Sequence, residues 1–79
     1  MESKLVTVYS TPSCHFCHMA KAFFDDNKVA YTEYNVASDL DKRQEMVRLT
    51  GQLGVPVIVI DGEAIVGFNQ NKIEQKLGL

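Results

Sequence analysis

Between Val55 and Val66 the chain has almost no conformational choice. Val55-Pro56-Val57-Ile58-Val59-Ile60 is nearly all β-branched, Asp61-Gly62 follows, and Glu63-Ala64-Ile65-Val66 resumes an apolar pattern. Asp-Gly suits a two-residue hairpin turn because both positions tolerate positive φ. The stretch therefore reads as a buried strand that returns antiparallel on itself. A lone hairpin is marginal in water, so the rest of the chain must cover it.

The first half supplies the cover. Leu5-Val6-Thr7-Val8-Tyr9 reads as a strand, broken by Ser10-Thr11-Pro12-Ser13, with Ser13 as the cap of a following helix. Phe16, Met19, Ala20, Phe23 and Phe24 then fall at i, i+3, i+4, i+7 and i+8, one apolar stripe. Val29 to Val36 reads as a second strand. Ser38 is expected to cap a helix running to Thr50 and stopped by Gly51, and Asn69 to Leu77 as a closing helix with Gly78 after it. Strand, helix, strand in sequence implies parallel pairing with a right-handed crossover. The expected architecture is α/β: a four-stranded mixed sheet flanked by three helices in the order β-α-β-α-β-β-α. With 79 residues, one domain spanning 1–79 is expected.

Composition narrows the function classes. Net charge is −2 and the pI about 5.5, without the basic patch of a nucleic-acid binder. No apolar run approaches the roughly 18 residues that span a membrane. Met1-Glu2-Ser3-Lys4 lacks a signal-peptide pattern, so a cytoplasmic chain is expected. Its two cysteines, Cys14 and Cys17, are too few for a disulfide-rich scaffold. A bridge between them closes almost no loop and removes little unfolded-state entropy. The pair points to chemistry rather than to stapling.

Cys-X-X-Cys at the start of the helix of a βαβ unit reads as a thiol–disulfide redox site. At about 100° per residue the apolar stripe centres near Phe16, Ala20 and Phe23. That puts Cys17 at its edge and Cys14 on the solvent side. Cys14 lies at the helix N-terminus, where free N–H groups and the dipole favour an anion by about 0.3–1 kcal/mol. Only a thiolate attacks a disulfide, so Cys14 is read as the nucleophile and Cys17 as the resolving thiol. His15, between them, and His18, one turn on with Lys21 beyond, could each favour the Cys14 thiolate when protonated; as solvated neutral rings they would contribute little. Cys14-His15-Phe16-Cys17-His18 also matches the haem-attachment spacing, but that chemistry needs an exported chain. Two Cys and two His are zinc-ligand types, yet five helical residues spread them around more than half the helix. No metal site is expected.

Tyr9-Ser10-Thr11-Pro12-Ser13-Cys14-His15-Phe16-Cys17, Gly54-Val55-Pro56-Val57 and Val66-Gly67-Phe68 together resemble the glutaredoxins of the thioredoxin superfamily. The likeness is greatest to the short glutaredoxin-like and NrdH-redoxin branch and covers essentially the whole chain. It implies a thioredoxin-like fold with Pro56 in the cis form, facing the cysteines. It also implies that Val55 offers its backbone to a substrate peptide as an added strand. Phe16, Gly67 and Phe68 join Val55 and Pro56 as expected substrate-binding residues, although Phe68 could equally pack in the core.

Departures from the family pattern bear on the electron source. Glutathione-using members carry a basic residue shortly before the first cysteine; here the stretch is Ser10-Thr11-Pro12-Ser13. They also carry Gly-Gly and an acidic pair where this chain has Val66-Gly67-Phe68-Asn69-Gln70. Gly67-Phe68 is similar to the Ser-Gly-Phe segment of NrdH-redoxins, which thioredoxin reductase reduces. The expected protein is a monomeric thiol–disulfide oxidoreductase and electron carrier with a redox-active disulfide. It holds no cofactor and acts on disulfide-containing proteins. Thioredoxin reductase with NADPH, or glutathione, is its external electron source. The competing readings are a classical glutathione-dependent glutaredoxin and an iron–sulfur or metal-binding glutaredoxin-like module.

Overall fold

The structure is a computed structural model that describes residues 5–79. Met1 to Lys4, the segment read as lacking a leader pattern, lies outside the described residues. Seven elements follow in the order β1 (Val6–Ser10), α1 (His15–Asp26), β2 (Thr32–Asn35), α2 (Leu40–Thr50), β3 (Val57–Ile60), β4 (Glu63–Val66) and α3 (Gln70–Leu77). The sheet order is β2-β1-β3-β4, with β1 parallel to β2 and the other pairs antiparallel. This is the thioredoxin-like arrangement, and the hairpin turn carries φ of 53° at Asp61 and 86° at Gly62.

Strand alternation divides the core in two. Val6, Val8, Ile58, Ile60 and Ile65 point to one face, where Ala20 and Phe24 of α1 and Ile73 of α3 close over them. Tyr9 and Val57 point to the other, where Met46 of α2 and Val36 pack. Helices α1 and α3 therefore cover one side and α2 the other.

Several boundaries move for physical reasons. Ser13 does not cap α1; Cys14 does, with φ −87° and ψ 114° and its sulfur accepting the Cys17 N–H. Asp39, not Ser38, caps α2 by accepting the Lys42 N–H at 3.1 Å. The second strand begins at Thr32 rather than Val29. Lys28 takes φ 57°, and the Val29 N–H closes onto the Phe24 carbonyl at 2.8 Å. Val29 and Tyr31 are apolar because they pack on the core, not because they pair. Pro56 has no N–H for a ladder, and pairing in β3 starts at Val57.

The apolar stripe of α1 is also displaced by one residue. Its buried positions are Cys17, Ala20 and Phe24, while Phe16 and Met19 are exposed. Cys17 thus sits at the centre of the buried stripe and not at its edge.

Candidate active site

Three segments far apart in sequence meet at one end of the sheet, and strand register is the reason. Tyr9 pairs with Val57, and Val57 with Val66. One step beyond each, Ser10 leads into the loop to Cys14, Pro56 precedes β3, and Gly67 follows β4. The Gly67 N–H donates to the Pro56 carbonyl at 2.8 Å, tying two of the segments together. Gly67 takes φ 84°, a conformation L side chains rarely adopt. The Val55–Pro56 peptide is cis, as the family resemblance implied. Pro56 is buried, and Val55 is half-buried just beyond the paired part of β3.

The two sulfurs differ sharply. Cys14 is partly accessible and Cys17 has no exposed surface. Both are free thiols, and the Cys17 N–H points at the Cys14 sulfur at 3.2 Å. Such a donor holds a sulfur more strongly when that sulfur is charged. Burial pushes the Cys17 thiol up to about 12, and its hydrogen bond with Cys14 adds to the rise. The Thr11 backbone and the Lys21 charge pull it weakly the other way. Cys17 is therefore a thiol near neutral pH.

Phe16 is 56% exposed, and the His15 ring meets it edge-on at 5.5 Å. His18 is exposed, with Nε2 at 2.9 Å from the Pro12 carbonyl oxygen. Phe68 is half-buried with its ring edge-to-face on Phe23 at 5.9 Å, so it packs against the core beside the site. Among the described residues, no cluster of three or more His, Cys, Asp or Glu is placed to hold a metal ion.

One polar network next to the dithiol was not singled out from the sequence. Ser10, only 1% exposed, donates its hydroxyl to Glu33 Oε2 at 2.6 Å, and Lys21 Nζ lies 2.8 Å from the same oxygen. These contacts hold the Glu33 carboxyl below the usual carboxylate range, Lys21 first and Ser10 second. Lys21, beyond His18 on the polar face of α1, engages its ammonium on the β2 side rather than on Cys14. A cleft of about 370 Å³ opens there, lined by Ser10, Pro12, His18, Lys21, Glu33 and Asn35. The available signal was Glu33 itself. It lies on the α1 face of the edge strand β2, opposite Val8, where alternation asks for an apolar residue.

An accessible and a buried thiol, one helical turn apart at the end of a four-stranded mixed sheet, define a thiol–disulfide oxidoreductase. Comparison with known proteins gives the family. The glutaredoxin family profile matches residues 6–65. The chain is 42% identical over 71 residues to an uncharacterised glutaredoxin-like 8.6 kDa protein of the Clostridium pasteurianum rubredoxin operon, covering 90% of this chain and 95% of that one. It is 36% identical over 62 residues to glutaredoxin 3 of Escherichia coli, covering 78% and 75% respectively. The solved structure of the thioredoxin-like protein BC3987 superposes with a TM-score of 0.86 at 36% identity, over 91% of this chain and 99% of that one. The chain belongs to the glutaredoxin family.

Proposed function

We propose that this protein is a dithiol electron carrier of the NrdH-redoxin type, in which Cys14 attacks a protein disulfide and Cys17 resolves the mixed disulfide. The difference in exposure between the two sulfurs carries this reading. An accessible sulfur facing an N–H donor suits the attacking thiolate. A buried neighbour, held as a thiol, suits a second step that begins only once Cys14 is bonded to substrate. Val55 and Pro56, with Gly67, Phe16 and Phe68, are the substrate-binding residues in this reading. His15 and His18 lie beside Cys14 in the first turn of α1.

The electron source in this proposal is thioredoxin reductase with NADPH, not glutathione, and no resident cofactor is needed. The region after β4 supports this. Where glutathione users carry carboxylates, Asn69 spends its side chain capping α3 through the Lys72 N–H at 3.2 Å, and Gln70 bonds Glu74 at 3.0 Å. The protein acts as a cytoplasmic monomer; no helix among the described residues is long and apolar enough to cross a membrane. The test supplies NADPH to the oxidised protein with thioredoxin reductase, or with glutathione and its reductase. Rapid reduction in the first mixture and slow reduction in the second is expected. The reverse result would make this a glutathione-dependent glutaredoxin.

A further inference from the structure

We propose that Lys21 is a positioning residue for the resolving step, holding a positive charge beside Cys17 that Glu33 restrains. The proposal rests on the reading of Cys17 as the resolving thiol. Lys21 is one helical turn after Cys17, at the i+4 spacing that brings side chains together on a helix. Cys17 is fully buried and must become an anion to react. Charge separation in such a place is costly unless an opposite charge lies near. The Lys21 charge favours that anion, against the burial that opposes it.

The ion pair is anchored more firmly than an ordinary surface bridge, whose two long side chains are free to part. Glu33 Oε2 is held from below by the buried Ser10 hydroxyl, so the carboxylate cannot swing away with the ammonium. Glu33 and Tyr31 act on Lys21 from the β2 side, and Cys17 from its own helix. His18 acts on Glu33, and Asp25 on Tyr31.

In the step itself, Cys17 gives its proton to water and its thiolate attacks the Cys14 sulfur of the mixed disulfide. The Cys14–Cys17 bond forms and the bond from Cys14 to the substrate sulfur breaks. The substrate leaves as a thiolate with the electron pair. The two cysteines are oxidised and the substrate disulfide is reduced.

The two members of the pair must then act in opposite directions. Removing Lys21's charge leaves Glu33 alone near the developing anion, whereas neutralising Glu33 releases the full charge of Lys21. The probe is dithiobis(nitrobenzoate), which releases one coloured thiolate when Cys14 attacks and a second when Cys17 resolves. The ratio of the second rate to the first is followed against pH in stopped flow. Lys21→Met is expected to lower that ratio about tenfold at each pH below the Cys17 midpoint. Glu33→Gln is expected to raise it over the same range, and Lys21→Arg to restore it. A purely structural bridge would shift Lys21→Met and Glu33→Gln the same way, and that result overturns the proposal, as does a ratio unchanged in both. Loss of the first release in the unaltered protein would remove the dithiol reading and this proposal with it.

Discussion

Cys14 and Cys17 lie within one turn of one helix, yet their surroundings are those of different compartments. Burial keeps Cys17 a thiol at pH 7, and it has no exposed surface for a reagent to reach. Iodoacetamide at pH 7 is therefore expected to label Cys14 at least about a hundredfold faster than Cys17. Peptide mapping of the reduced protein measures this, and comparable labelling would sink the assignment of roles. Cys17→Ser should trap a mixed disulfide at Cys14, while Cys14→Ser should abolish turnover. Mass spectrometry after incubation with a disulfide peptide distinguishes them. The spacing of the cysteines made the inequality legible in the sequence, but not its degree. Hydropathy counts Phe16 and Met19 as core candidates, although the first turn of α1 stands at the sheet end with little to pack on. The burial that those residues seemed to claim belongs to Cys17.

At the scale of the elements, helix caps decide what composition leaves ambiguous. Ser38 and Asp39 are adjacent and both are capping types, so sequence alone could not choose between them. The structure puts the Lys42 N–H on Asp39 Oδ1 at 3.1 Å, while the Ser38 hydroxyl reaches only the Asn35 carbonyl at 3.4 Å. Asp39→Ala is accordingly expected to cost about 1 kcal/mol, and Ser38→Ala no more than about half of that. Urea unfolding of the two variants gives the comparison; a larger loss at Ser38 would return the cap to that residue. Helix starts are hard to read because one hydrogen bond fixes them. The strand ends were obscured differently. Val29, Tyr31 and Val55 are apolar for packing, and hydropathy does not separate packing from pairing. The turn end of the hairpin escapes this confusion because Asp61-Gly62 fixes where its two arms meet.

Across the whole molecule, the redox site and the stability of the fold share a proton. The folded state holds Cys17 as a thiol up to about 12, whereas an unfolded chain releases that proton near the ordinary value of about 8.5. A raised folded value favours the fold fully below the unfolded one, and the advantage is lost as pH rises toward the folded one. The limiting slope is about 1.4 kcal/mol per pH unit for one proton. Tyr9 acts in the same direction at higher pH, since burial and its bond to Glu45 push its phenol up. Serine does not titrate, so reduced Cys17→Ser retains every other group while lacking this one. Because the slope is only half its limit at pH 8.5, the reduced wild type should therefore lose about 1.6 kcal/mol relative to Cys17→Ser between pH 8.5 and pH 10. Any constant offset from the new hydroxyl cancels in that comparison. Urea unfolding of both proteins under reducing, anaerobic conditions across that range provides the measurement. A difference that stays flat with pH would mean that Cys17 ionises in the fold as easily as in the unfolded chain, and the buried-thiol account of the resolving step would fall with it.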